Sequence, residues 1–178
     1  MSSAQISIAF RMRTSPAYMG ELESAFGSAG LRRIENNSDE IEIPTTTWEL
    51  TIEQERCVLT CRCYPEALWT SVTLDVSEDL FDQLAIQIGR RQLIDAFVHL
   101  GAQLLRWLEL SYVFFEEEAE ADIDPDCYKG DILFGITIVP SAAGWAQKMA
   151  NRSDILRIDH LDGAIVLYRR LDPVPHVS

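Results

Sequence analysis

A chain of 178 residues with 47% hydrophobic and 24% charged side chains has the composition of one ordinary globular domain, which excludes a wholly disordered or low-complexity protein. At this length folding removes roughly 70% of the extended chain's surface from water, so neither disulfides nor a metal is needed merely to hold a core. Lys and Arg number 15 against 28 Asp and Glu, a formal charge of −13, which argues against a nucleic-acid backbone or an anionic membrane surface as the partner.

The opening residues Met1 to Gln5 lack the basic and apolar regions of a secretory signal. Ile6, Ile8, Phe10 and Met12 then alternate with Ser7, Ala9, Arg11 and Arg13, the period-two pattern of a strand with one buried face. Ser15 as N-cap and Pro16 at the first helical position predict a helix with Met19, Leu22 and Phe26 on one side. The cluster Asn36-Asn37-Ser38-Asp39 reads as a turn, and strand-like runs around 41–52, 55–64 and 68–76 predict an antiparallel meander. Ser77 caps a second helix whose first turn carries Glu78 and Asp79, where carboxylates favour the dipole.

Leu80, Leu84 and Ile88 form one helical stripe. Leu93, Phe97, Leu100, Leu104 and Trp107 or Leu108 form another, offset by one residue across Gly89, so a break is expected at Gly89 to Arg91. Tyr112 to Phe115 predicts a short strand, 116–130 an acidic loop, and Ile132 to Val139 another strand. Ser141 caps a short helix with Trp145 and Met149, and a closing hairpin turns through Asp162-Gly163. The longest apolar stretch, Leu93 to Leu110, is broken by Asp95, His99, Gln103, Arg106 and Glu109, as in a helix facing water on one side. The expected fold is a single α+β domain over 1–178: a mostly antiparallel sheet with a long central helical segment and two shorter helices. An internal echo, strand, Ser-capped helix, Leu-Arg segment, turn and strand, runs through Thr14-Ser15-Pro16 and again through Pro140-Ser141-Ala142. It raises a duplicated β-α-β-β unit as an alternative to chance likeness.

The densest chemical signal is Glu116, Glu117, Glu118, Glu120, Asp122, Asp124 and Asp126, seven carboxylates in eleven residues with no intervening base. Such a run is either a solvated loop or a docking surface that speeds encounter with a basic protein. Asp122, Asp124 and Asp126 also suggest a divalent cation, although the EF-hand pattern fails: its glycine position holds Cys127 and its bidentate glutamate position holds Leu133. Cys57, Cys61 and Cys63 fall on one face of a strand with Leu59. They are therefore expected to be reduced core residues in a cytoplasmic protein, not half of a zinc site. His99, His160 and His176 are scattered, and Gly27-Ser28-Ala29-Gly30 lacks the lysine of a phosphate-binding loop. Trp48 and Trp107 fit buried stripes. Trp69 does not, because strand alternation puts it with Ser71, Thr73 and Asp75 on the face opposite Val72, Leu74 and Val76. It is either covered by a helix or an exposed interface anchor.

In size, acidity and absence of a catalytic motif the chain resembles immunity proteins that block toxin nucleases, a likeness of character carried by no motif. It implies a small bacterial inhibitor of a basic partner, needing no cofactor and more an interaction module than an enzyme. Partner-binding residues are expected at 116–126 and Trp69. The alternatives are a divalent-metal protein or enzyme using 122–126, and a homodimeric subunit of a larger assembly joined through a sheet edge or the Trp69 face.

Overall fold

The computed structural model describes residues 5–34, 43–117, 135–144, 148 and 150–169. Strand β1 (Gln5–Arg13) leads into helix α1 (Tyr18–Ser28) and the short strand β2 (Arg32–Ile34). The meander follows as β3 (Thr45–Ile52), β4 (Glu55–Pro65) and β5 (Trp69–Ser77). Helix α2 (Glu78–Leu84), one π-helical turn (Ala85–Gly89) and α3 (Arg90–Trp107) form the long helical segment. After it come β6 (Val113–Glu117), β7 (Ile136–Pro140), β8 (Ile155–Leu161) and β9 (Ala164–Arg169). These nine strands make one sheet in the order β2-β3-β4-β5-β1-β6-β7-β9-β8, antiparallel at every pairing. The α+β class and the meander thus agree with the periodicities, with more sheet than they implied. Among the described residues no helix is long and apolar enough to cross a membrane.

Alternation along each strand sorts the side chains into two faces. Ile8, Phe10, Leu59, Cys61, Leu74 and their neighbours point toward the helices, where Leu22 and Phe26 of α1, Phe81 of α2 and Leu93, Phe97 and Leu104 of α3 close a single core. Cys57, Cys61 and Cys63 are buried there as free thiols. Burial in apolar surroundings pushes the Cys57 thiol up to about 12, because an interior of low polarity disfavours the thiolate. α3 lies close to the sheet because Gly101 has no side chain: a Cβ there would come 2.6 Å from Ile138 Cδ1 and 3.3 Å from Val113 Cγ1. On the other face a smaller apolar cluster of Ala9, Tyr112, Phe114, Val139, Ile165 and Leu167 is packed by Ala143, Ala150 and Ile155. The remainder of that face, from β1 outward to β2, is mostly polar and charged, with Val58, Tyr64 and Trp69 among those side chains.

Several expectations are corrected. Trp107 lies 54% exposed at the end of α3, with the Arg106 guanidinium over its ring. Leu108, partly buried, packs against the core instead, because it stands four residues beyond Leu104 on the inward stripe. Ser15 does not cap α1. Its Oγ accepts from Ala17 N at 3.3 Å within a turn, and the helix begins at Tyr18. The acidic loop begins later than 116, since Glu116 and Glu117 extend β6 where Ser7 and Ile6 of β1 continue the ladder beside them. The internal echo does not become a structural repeat. β7 pairs β9 directly, whereas β5 and β4 stand between β1 and β3, and α1 packs on the face opposite to Ala143 and Ala150. The helix expected to carry Trp145 and Met149 falls largely outside the described residues.

Gly89 does interrupt the helical run, with φ +93° and ψ 132° between the π turn and α3. That conformation is open to glycine and strained for any residue with a Cβ. Gly89→Ala should therefore lower stability by about 1–2 kcal/mol in urea unfolding, where the same change in a regular helix would raise it by about 1 kcal/mol.

Candidate partner-binding surface

The polar face of the sheet holds Trp69, and its surroundings follow from strand register. Trp69 opens β5 opposite Arg13, the last residue of β1, so the two side chains project from the same face. The Arg13 guanidinium lies 5.9 Å from the centre of the indole ring, within reach of a cation–π contact. The preceding turn is tied on both sides. Glu66 N donates to Trp69 O at 2.8 Å, Thr14 N to Leu68 O at 3.0 Å, and Thr14 Oγ1 to Glu66 O at 3.0 Å. Arg11 reaches Ser71 Oγ and Glu66 Oε2, each at 3.3 Å.

The result is a partly exposed tryptophan held on a braced hairpin. Leu68, 73% exposed, is at its tip, and Tyr64, 40% exposed, stands opposite Ser71 on the Trp69 face. Aromatic and arginine side chains on a rigid support are the composition of interface anchors, since little conformational entropy is left to lose on binding. No helix among the described residues packs on this part of the sheet.

Toward the other end of β1 and β5 the same face holds a buried polar group. Asp75, 5% exposed, accepts from Ser7 Oγ at 2.7 Å, from Thr73 Oγ1 at 3.1 Å and from Arg62. Arg62 also donates to Gln5 Oε1 at 3.1 Å. Nearer the β2 edge, Glu49 accepts from Arg32 at 2.7 Å and from Arg56. The Arg32 hydrogen bond, reinforced by Arg56, holds the Glu49 carboxyl below its ordinary range. These carboxylates are matched by arginines within the fold.

The acidic segment enters at this second end. Glu116 stands opposite Ser7 and Glu117 opposite Ile6, six and seven residues along β1 from Arg13, which faces Trp69, or about 20 Å and more at the rise of a strand. The expected binding residues are therefore not gathered into one patch at the sheet. Trp69 marks one end of β1, and the start of the acidic run marks the other. Glu118, Glu120, Asp122, Asp124 and Asp126 lie outside the described residues. Among the described residues no group of three His, Cys, Asp or Glu side chains is placed to hold a metal ion. On the helix side, Ala17, Gly20, Ser24, Trp107 and Glu109 line an open groove of about 630 Å³.

Arg13, Tyr64 and Leu68 were not singled out from sequence. The signal was present for Arg13, because β1's alternation already put it on the polar face. What was missing was the register that sets it against Trp69. No family model matches the chain, and no curated protein or solved structure shows significant similarity to it.

Proposed function

We propose that the chain is a protein-binding module that inhibits or neutralises a basic partner, with Trp69 as its anchor and the acidic segment as its steering element. One observation carries the reading: Trp69 stands partly exposed beside Arg13 on a hairpin braced to β1. Trp48 by contrast is turned into the core against Phe26, and Trp107, though exposed, stands at a helix end and not on a hairpin tied to a central strand. The charge of −13 and the run of carboxylates from Glu116 to Asp126 support a cationic partner, since opposite charge accelerates encounter while a desolvated aromatic anchor lengthens the life of the complex. The buried free thiols of Cys57, Cys61 and Cys63 fit a reducing compartment such as the cytoplasm. Inhibition then follows from occupancy: an acidic surface seated on a basic cleft blocks the substrate that the cleft would bind.

The experiment uses a partner retrieved by pull-down and confirmed with purified components. Trp69→Ala should raise the dissociation rate about 30-fold, the equivalent of about 2 kcal/mol, and leave the association rate within a factor of about two to three. Unchanged dissociation with an intact fold would remove Trp69 from the interface and with it this reading.

A further inference from the structure

The two edges of the sheet are built differently. β2 is three residues long and presents Arg32 and Arg33 in succession, the short, like-charged edge that resists pairing with another strand. β8 is seven residues long, Ile155–Leu161, and lies at the other end of the strand order with β9 on one side only. Its outer backbone groups meet no strand among the described residues. Leu156 is 62% and Ile158 38% exposed, and the bulge at Leu156 leaves 157–161 in regular register with β9.

We infer that β8 pairs with β8 of a second copy of this chain, antiparallel and centred on Ile158, so that two nine-stranded sheets join edge to edge. The two-fold symmetry of such a contact requires one residue to face its own copy. Centring on Arg157 or Asp159 would set two like charges against each other. Centring on Ile158 sets an apolar side chain on the axis and places Arg157 of each copy opposite Asp159 of the other, on the same face of the sheet. Cross-strand pairs of opposite charge stabilise a ladder and like charges oppose it, so the sequence Arg157-Ile158-Asp159 is complementary to itself in this register.

Both charged side chains are partly exposed, and within one copy they are paired with each other, with Tyr168 also bonded to Asp159. Within one copy Arg157 Nε donates to Asp159 Oδ1 at 2.9 Å, the two side chains are 47% and 31% exposed, and the Arg157 guanidinium lies over the Tyr168 ring at 4.7 Å. The Asp159 carboxylate can thus accept from either copy's arginine without relocation of the backbone. The inference is independent of the proposed partner at Trp69, because β8 and Trp69 lie on opposite sides of β1 in the strand order.

Sedimentation velocity on the full chain, in about 0.15 M salt and from about 10 μM to about 1 mM to span moderate to weak association, should show a species of twice the 20.1 kDa chain mass that grows with concentration. Arg157→Asp and Asp159→Arg should each weaken this association at least tenfold, because each places four like charges across the axis. Mixed one to one, the two variants should associate, since every cross-strand pair is then of opposite sign, and the double swap R157D/D159R should dimerise alone. Ile158→Lys, a change at a residue 38% exposed, should give monomer, with the urea midpoint equal to that of wild type at a concentration where wild type is monomeric. A wild-type chain that stays monomeric throughout the range, variants that dimerise as wild type does, or a mixture of the two charge variants that fails to associate would each overturn the pairing.

Discussion

Phe97→Ala should lower the stability of the protein by about 3–5 kcal/mol, the range for emptying a large buried site that its surroundings refill only in part. Phe97 is 1% exposed and stands where three elements meet. Its ring stacks on Phe115 of β6 with centroids 5.2 Å apart and 11° between planes, and lies 6.0 Å from Phe81 of α2. Phe81 in turn approaches Phe115 at 6.4 Å. Removing Phe97 takes one aromatic neighbour from each of the other two rings, and losses of aromatic contact add to the transfer cost. Urea unfolding with an unchanged slope is the measurement. A loss below about 1 kcal/mol would mean that the helical layer is not packed on the sheet through this cluster.

The second large effect is expected on the opposite face. Asp75→Ala should cost about 2–3 kcal/mol, because it removes the acceptor of three donors from a position almost closed to water. Arg62, 31% exposed, can recover some hydration, which keeps the cost below that of a fully buried broken pair. Ser7, 3% exposed, can recover little. Asp75→Asn keeps the volume but turns one acceptor into a donor facing Arg62, so it should lose nearly as much as the alanine variant. If the asparagine variant were as stable as wild type, the charge of Asp75 would be irrelevant to the fold, and the network would contribute hydrogen bonds alone.

Much of this architecture was legible in the chain because its faces are chemically distinct. Ile6, Ile8, Phe10 and Met12 announce β1's inward side, and Cys57, Leu59, Cys61 and Cys63 announce that of β4. The one-residue slip between the Leu84 and Leu93 stripes located the break at Gly89, where the left-handed backbone stands. Strand order was not legible, because periodicity identifies a strand and its faces but not its neighbours. Nothing local in Gln5 to Arg13 says that this strand sits between β5 and β6. The hairpin turn at Glu53-Gln54, where both residues have positive φ, falls in the gap expected between the runs 41–52 and 55–64. It lacks the Asn-Gly chemistry that normally reports such a turn, so the ends of the flanking strands marked it, and the pairing of Ile52 with Glu55 agrees.

The site was legible in part for the same physical reason. Trp69 stood out because it breaks the hydrophobic alternation of its own strand, a local property. Its partner Arg13, 56 residues away in sequence, belongs to the register, a non-local one. Trp107 was misplaced because the last turn of a helix offers two adjacent apolar residues for one inward position, and Leu108 rather than Trp107 continues the stripe from Leu104. For the acidic run, composition revealed the charge, while the ladder with Ser7 and Ile6 decided that its first two residues belong to the sheet.

The most direct test of a module that meets a basic partner through acidic steering is the association rate against ionic strength, measured for the wild type and for the variant D122N/D124N/D126N with a purified partner. Asparagine keeps the size of these side chains and removes three charges, so the fold should persist. At low salt the variant should associate roughly tenfold more slowly, and its rate should fall less steeply as salt is added, since steering by charge is what salt screens. Equal rates and equal salt slopes for the two proteins would contradict the account and leave the acidic segment a solvated surface.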